Sequence, residues 1–178
     1  MDDVRRNKQL AFVGKGLERP SDRFGGSLLT SNPKTARPLD SKWPVHLVLR
    51  ARESRMRTPK AFGRVHRLVH EIARKYGFKV YEFANAGNHL HLIVRVSDRR
   101  KWAAYIRELT GRIALAAGRR KAGGFWRYRP FTRVIRSWRQ AFRWACDYVE
   151  LNRLEADGHI KRAEIGNMRK LRLLFSDA

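Results

Sequence analysis

The stretch 88–96 constrains the fold of this chain more than any other part of its sequence. It places eight residues rich in Leu, Ile and Val directly after the turn-forming pair Gly87-Asn88, a pattern that predicts a β-strand. Side chains of a strand alternate between its two faces. One face would therefore be wholly apolar, with Leu90, Leu92, Val94 and Val96. The opposite face would carry His89, His91, Ile93 and Arg95.

Two imidazoles held side by side on a stiff strand have two interpretations. His89 and His91 can together ligate one divalent metal ion. They can equally be ordinary half-buried strand residues. The strand alone does not decide between the two, and the decision depends on Tyr148, much further along the chain.

Apolar periodicity predicts three more strands and three helices around this segment. The strands span 43–52, 78–84 and 131–136, and strict alternation in the second would put Tyr81 and Phe83 on the face opposite Glu82. The helices run from the N-cap Thr58 to residue 76, over about 100–117, and over 138–154. The loop 85–88 would make a hairpin of the second and third strands. This order is typical of a ferredoxin-like α+β fold, an antiparallel sheet with helices packed on one face.

The chain divides into one folded domain with two appendages. Residues 1–41 are broken repeatedly by Gly, Pro and Ser, which predicts an irregular N-terminal extension. Residues 42–158 contain the periodic segments and form the expected folded domain. Residues 159–178 predict a basic amphipathic helix, with its apolar stripe in 160–175.

The net charge of the chain indicates a polyanionic partner. Lys and Arg number 40 against 16 Asp and Glu, a formal charge of +24. Only 8 of these bases and 5 of these acids lie in residues 1–40, so the charge is concentrated on the folded part. Aromatic residues interleave with the cations, a combination that suits stacking of unpaired bases. Nucleic acid is the expected partner, ahead of an anionic membrane surface.

Several classes of protein are excluded by composition. Cys146 is the single cysteine, which excludes an internal disulfide framework and a multi-cysteine zinc site. The His-x-Glu and Pro-Cys-x-x-Cys pair of a zinc nucleobase deaminase is missing. The sequence has neither a signal-peptide core nor an apolar run of membrane-spanning length. We expect a cytoplasmic, nucleoid-associated protein without a membrane partner.

Three segments, in order, resemble a known family. The segment 87–94, Gly-Asn-His-Leu-His-Leu-Ile-Val, is similar to the His-hydrophobic-His motif of HUH single-strand DNA transposases. Residues 125–136 resemble the segment that leads into the nucleophile helix of these enzymes. Residues 145–153, Ala-Cys-Asp-Tyr-Val-Glu-Leu-Asn-Arg, resemble the nucleophile motif itself, with Arg153 where the family often has Pro. The match is to REP-associated tyrosine transposases, relatives of the single-tyrosine insertion-sequence enzymes.

The resemblance implies a role for four residues of this chain. His89 and His91 would ligate one Mg²⁺ or Mn²⁺ ion, and Tyr148 would be the catalytic nucleophile. Asn152 would assist as a catalytic residue and as a third metal ligand. Residues spaced i, i+4 lie on one face of a helix, so Tyr148 and Asn152 can point at the same site.

The implied reaction is cleavage and rejoining of single-stranded DNA. Tyr148 would attack a phosphate and leave a covalent 5′-phosphotyrosine and a free 3′-OH, which a second strand can use for strand transfer. The resemblance further implies a hairpin or palindromic element beside the cut, bound by a monomer or homodimer. The candidates for contacting DNA are Arg50, Arg52, Arg95, Arg127, Arg129, Arg133 and Arg136.

Two other functions remain open from the sequence. A non-catalytic module that kept the fold would bind hairpin DNA tightly and in a salt-sensitive way, without cleaving it. A structured-RNA binder would use the same basic surface. The joint presence of His89, His91, Tyr148 and Asn152 favours the enzyme.

Overall fold

The computed structural model describes residues 22–29, 31–33, 35–118 and 124–161. Within these ranges five strands form one antiparallel sheet in the order β1-β5-β2-β4-β3. The strands are β1 (Arg23–Phe24), β2 (Pro44–Arg50), β3 (Lys79–Asn85), β4 (His89–Arg95) and β5 (Phe131–Val134). The helices are α1 (Phe62–Lys75), α2 (Trp102–Ala116) and α3 (Gln140–Ala156). The predicted antiparallel α+β fold is confirmed, while the predicted helix over 160–175 lies almost wholly outside the described residues.

The three helices divide between the two faces of the sheet, whereas the sequence predicts them on one face. The face to which Leu92 points is covered by α1 and α2. The opposite face is covered in part by α3, where Ala145 and Val149 pack against Ile93. Leu92 and Ile93 are successive residues of β4, so alternation sends them to opposite sides. The order of elements along a chain does not fix the face on which its last helix packs.

The larger core lies between the sheet and the pair α1–α2. The four apolar residues that the sequence predicts on one face of the strand 88–96 are all fully buried there. Each fully buried Leu, Ile or Val side chain contributes roughly 1.5–3 kcal/mol relative to exposure. This cluster therefore holds most of the apolar stabilisation of the described fold, and its main members are Val45, Leu47, Val65, Val69, Ile72, Leu90, Leu92, Tyr105, Leu109 and Ile113.

The edge strand β3 does not alternate strictly, because its pairing with β4 shifts between Val80 and Glu82. Val80 and Phe83 pack against the α1–α2 core. Tyr81 packs against the α3 side, and Glu82 pairs with Ile93, which also faces α3. The expectation that Tyr81 and Phe83 share a face is therefore wrong, because the extra residue of a β-bulge places two neighbours on the same side.

Part of the expected irregular extension adds an edge to the sheet. Arg23 and Phe24 pair with Arg133 and Thr132 of β5. The guanidinium of Arg37 fixes this edge, donating to the Thr132 hydroxyl at 2.6 Å and lying 4.5 Å from the centre of the Phe24 ring. A strand of two residues is too short to show alternation, so the sequence pattern could not predict it.

The ends of the helices follow local capping chemistry. α1 begins at Phe62, later than predicted, because residues 58–61 form a turn in which the Thr58 carbonyl accepts from the Ala61 and Phe62 N–H groups. It ends before Gly77, whose φ of 71° is the left-handed conformation that glycine provides at helix ends.

Among the described helices, none combines the length and hydropathy that a membrane crossing requires.

Candidate functional site

The site lies on the side of the sheet that faces α3, and the register of β2 and β4 defines it. Arg50 stands opposite His89, Val48 opposite His91, and His46 opposite Ile93. Directly paired residues of an antiparallel ladder point to the same face. Three histidines therefore share this face, on the two central strands of the sheet.

His91 is the most enclosed of the three, with 1% of its surface exposed. Its Nδ1 lies 3.0 Å from Nε2 of His46, and the two rings are nearly parallel with centroids 5.3 Å apart. Burial lowers the pKa of His46 to about 4, so this residue is neutral at physiological pH. A hydrogen bond thus joins the strands β2 and β4 through the two imidazoles, and it occupies Nδ1 of His91.

His89 is half-buried at the start of β4, next to the hairpin. Its Nδ1 lies 2.6 Å from the side-chain oxygen of Asn88. An amide oxygen accepts hydrogen bonds and does not donate them, so in this contact Nδ1 of His89 carries the proton. The His89 and His91 rings meet edge to face with centroids 4.8 Å apart. Both rings therefore have Nδ1 committed to a protein partner.

α3 brings Tyr148 to the two buried imidazoles. The half-buried phenol ring lies edge-on to His91, with centroids 5.5 Å apart, and edge-on to His46 at 5.8 Å. Tyr148 is more than fifty positions from either histidine in the chain, and only the packing of α3 on this side of the sheet brings it to them. The fold therefore brings Tyr148 next to His91, one of the two histidines of the sequence motif, while the catalytic role expected for Tyr148 stays a prediction.

Asn152 lies one turn beyond Tyr148 on α3 and is buried. Its side-chain Nδ2 donates to the backbone carbonyl of Tyr148 at 2.6 Å. This bond orients the amide, so that its Oδ1 is the atom that can accept a hydrogen bond or ligate a cation. The role expected for Asn152 stays a prediction.

The C-terminal end of α3 is tied to the β3–β4 hairpin, which carries His89. The guanidinium of Arg57 donates to the Asp157 carboxylate at 2.8 Å and to the backbone carbonyl of Asn85 at 2.9 Å. The Asn85 side chain in turn donates to the Met56 carbonyl and accepts from the Gly87 N–H. Arg57 thereby links the helix of Tyr148 to the hairpin, which sets their separation.

The donor set fits a divalent cation of borderline softness. Two imidazoles and an amide oxygen suit Mn²⁺ as well as Mg²⁺, since imidazole is softer than the all-oxygen environment that Mg²⁺ prefers. The described residues contain no group of three or more His, Cys, Asp or Glu placed to hold a metal. The expected ligand set has only two residues of these types, His89 and His91, and its third member is Asn152. With Nδ1 of each histidine committed, Nε2 is the nitrogen that remains for ligation.

The seven candidate DNA-binding arginines fall into different parts of this surface. Arg50, Arg95 and Arg133 lie on the α3-facing side, paired with His89, Pro44 and His46. The other four lie elsewhere, and most of them already bond to protein atoms. The backbone N–H of Arg127 donates to the Arg50 carbonyl. The Arg52 side chain donates to the Gly124 carbonyl, and the Arg129 side chain donates to the side-chain oxygen of Asn32. Arg95 and Arg136 lie at the Pro44 end of the sheet.

Arg136 differs from the rest, because it forms ion pairs with two carboxylates. Its Nε lies 2.7 Å from an oxygen of Asp22, and its Nη1 lies 3.5 Å from Asp40. The Asp22 side chain is 4% exposed. These contacts assign Arg136 to the stability of the N-terminal edge of the sheet.

Sequence reasoning missed two residues of the site. The sequence motifs give His46 no role in the site and make Asn88 only part of a turn. The structure places both against Nδ1 of a histidine. The only available signal was that residues 43–49, at the start of the predicted strand, carry one histidine in an otherwise apolar run.

Comparisons with known proteins identify the family and the fold. The family described as IS200-like transposases matches residues 41–129, half of the 178 residues and a range that includes both histidines of β4 but ends before Tyr148. A solved structure of the REP-associated tyrosine transposase bound to a REP hairpin is similar, with a TM-score of 0.57 and 16% identity. The match covers 70% of this chain and 74% of that one, and at this identity it shows the shared fold. The search of curated proteins found no match. The family match and the shared fold show that this chain belongs to the IS200-like transposases.

Proposed function

We propose that this chain is a metal-dependent single-strand DNA endonuclease and strand transferase with Tyr148 as its nucleophile. The observation that carries the proposal is the edge-on contact between Tyr148 and His91, 5.5 Å between ring centroids. This contact links α3, which lies beyond the residues that match the family, to β4, which lies among them. A phenol and two imidazoles on one polar patch of an otherwise apolar sheet supply the nucleophile and the cation ligands of such a reaction.

His89, His91 and Asn152 would hold the cation, which when bound supplies electrophilic stabilisation of the charge that develops on the scissile phosphate. The phenol oxygen of Tyr148, carried by α3, would attack phosphorus in line. The new bond joins this oxygen to phosphorus as the phenol loses its proton, and the bond from phosphorus to the 3′ oxygen breaks. The departing oxygen takes up a proton and becomes a free 3′-OH, while Tyr148 carries the 5′-phosphate. Attack by another 3′-OH reverses the step and joins strands.

The proposed substrate is unpaired DNA beside a hairpin. The reacting phosphate must lie between Tyr148 and the histidines, at the surface of the sheet, where a flexible single strand fits more easily than a duplex. Arg50, which pairs with His89 in the sheet, would contact the entering backbone. The structurally similar transposase was solved with a REP hairpin, which supports a hairpin as the element recognised here. We place the activity on nucleoid DNA in the cytoplasm.

The test is formation of a covalent protein–DNA adduct. Wild-type protein is mixed with end-labelled oligonucleotides that carry a hairpin and a single-stranded flank, with Mn²⁺ or Mg²⁺. We expect a labelled species that survives denaturation, because the phosphotyrosine bond is covalent. Tyr148→Phe removes only the hydroxyl and should abolish this species. An adduct formed by Tyr148→Phe would show that the nucleophile is another residue.

A matched pair of controls separates cleavage from binding. His89→Ala should abolish the adduct while retaining most of the DNA affinity, since affinity comes largely from phosphate contacts. Tyr81→Phe removes a hydroxyl from another aromatic residue on the same side of the sheet and should leave the adduct unchanged. Tight, salt-sensitive binding without any adduct in the wild-type protein would instead identify a non-catalytic binding module, and parallel titration with DNA and RNA hairpins would define its ligand.

A further inference from the structure

We propose that Asn88 and His46 are positioning residues, each holding a proton on Nδ1 of a metal-ligand histidine so that both rings present an unprotonated Nε2 to one cation. The inference rests on the proposed function and extends it to two residues outside the ligand set. A neutral imidazole has one N–H and one lone pair, and only the nitrogen with the lone pair can bind a metal. The partner of the other nitrogen decides which one this is.

The contact at His89 fixes its tautomer by chemistry alone. The Asn88 oxygen, 2.6 Å from Nδ1, can only accept. The backbone of Asn88 is itself anchored, because its carbonyl accepts from the Ala51 N–H at 2.7 Å, next to the end of β2. The acceptor is therefore held at a fixed position beside the ring, and the lone pair of His89 lies on Nε2.

The contact at His91 works in the same direction through a second imidazole. Nε2 of His46 lies 3.0 Å from Nδ1 of His91, and both side chains are buried between β2, β4 and α3. Since Nδ1 of His91 is occupied, only its Nε2 can bind a cation. A ligating Nε2 requires the shared proton to lie on Nδ1 of His91, with His46 as the acceptor. The nearly parallel rings also restrict rotation of His91 about its side-chain bonds.

The two contacts come from different elements, which makes them separable by mutation. Asn88 is a half-buried residue of the β3–β4 hairpin and belongs to neither of the two apolar clusters. Asn88→Leu keeps the approximate shape but removes the acceptor, whereas Asn88→Asp keeps an acceptor at the same place. For the other contact, His46→Leu removes the acceptor. His46→Gln restores one, because its Oε1 is as many bonds from Cβ as Nε2 of histidine.

Metal affinity is the first readout and needs no DNA. Titration calorimetry with MnCl₂ should show a loss of roughly 10–100-fold in affinity for Asn88→Leu and for His46→Leu, the range typical of removing such an outer partner of a metal-bound histidine. Asn88→Asp and His46→Gln should stay within a few-fold of the wild-type protein. Thermal unfolding of all four variants reports whether each one is folded.

The ring tautomers are the second readout and need neither metal nor activity. Long-range ¹H–¹⁵N spectra of the metal-free protein should show the proton of His89 and of His91 on Nδ1. Asn88→Leu should release His89 toward the Nε2–H form without changing His91. The inference is overturned if either ring of the wild-type protein carries its proton on Nε2, or if both leucine variants bind Mn²⁺ as tightly as wild type. The proposed function has its own point of failure, the lack of an adduct in the wild-type protein.

Discussion

The two faces of one sheet differ sharply in what they bury. On the side of α1 and α2, the buried side chains are mostly apolar and form one large cluster around Leu90, Leu92 and Val94, with Asn85 and Thr132 as buried polar residues beside it. On the side of α3, the apolar cluster is small, and His46, His91 and Asn152 are buried close to it. The same strand β4 contributes to both, with alternate residues on alternate sides.

This difference assigns stability to one face and chemistry to the other. A buried polar group costs free energy unless it is hydrogen-bonded, and on the α3 side the His46–His91 and Asn152–Tyr148 bonds offset part of this cost. The apolar face is large enough to stabilise a fold that also contains this polar patch, because the packing of the apolar face does not depend on the polar residues. The chain can therefore keep ionisable groups inside the fold without losing its core.

Two adjacent residues of β4 provide the largest expected effect. Leu92→Ala and Ile93→Ala each remove a fully buried side chain and should each lower the free energy of unfolding by about 2–5 kcal/mol. Only Ile93 packs against α3, so its loss should shift the helix that carries Tyr148. A displacement of about 1 Å can reduce the rate about 100-fold. We expect that loss of adduct rate for Ile93→Ala and almost none for Leu92→Ala.

The rates are measured by single-turnover adduct formation at a temperature at which circular dichroism shows both variants folded. His89→Ala gives the background rate. Equal rates for the two alanine variants would contradict the division of roles between the faces, because they would show that α3 keeps its position without Ile93.

Alternation made the main features of both faces predictable from sequence. The apolar residues at positions 90, 92, 94 and 96 and the histidines at 89 and 91 occupy the expected sides. The period of two in a strand is set by backbone geometry and does not depend on tertiary context. The fold class and the position of the site on β4 follow from this regularity.

The features that the sequence did not predict arise from single residues or from distant contacts. One extra residue in β3 reverses the side of Phe83 relative to Tyr81. The edge strand β1 depends on a bond between Arg37 and Thr132, ninety-five positions apart. The contact of His46 with His91 depends on the register of β2 against β4, and no local pattern specifies that register.

Arg50 and Arg136 test whether the cations divide between the faces in the same way. Arg50→Gln removes a charge beside His89 and should weaken single-strand binding a few-fold. It should also reduce the slope of log affinity against log salt concentration by about 0.7, the value for one phosphate contact on a single strand. Arg136→Gln should leave this slope unchanged. It should instead lower the free energy of unfolding by about 1–3 kcal/mol, because it leaves the nearly buried Asp22 carboxylate without its closest ion-pair partner.

Both variants are examined by fluorescence anisotropy over a range of salt concentrations and by urea unfolding. An unchanged salt slope for Arg50→Gln would remove Arg50 from the DNA-binding surface. A reduced slope for Arg136→Gln would mean that the arginine binds DNA in spite of its ion pairs, so the site surface would extend to the Pro44 end of the sheet.

The smallest expected effect concerns a carboxylate on the α3 side. Burial, with a further contribution from Glu150, raises the pKa of Glu82. A carboxyl group with a raised pKa in the folded state binds protons more tightly there than in the unfolded chain, so its contribution to stability is lost as pH rises through the folded pKa. Glu82→Gln should therefore raise the Tm by about 1–2 °C at pH 7 and leave it unchanged at pH 4.

The matched control lies on the helix pair of the other face. Glu71 of α1 pairs with Arg112 at 2.7 Å on the surface, and such exposed pairs contribute little. Glu71→Gln should thus leave the Tm unchanged or slightly lower at pH 7, opposite in sign to Glu82→Gln. Equal shifts for the two variants would show that overall charge governs both. A gain confined to Glu82→Gln would show that the α3 side carries an unfavourable carboxylate close to its site, at a cost that the apolar face is large enough to bear.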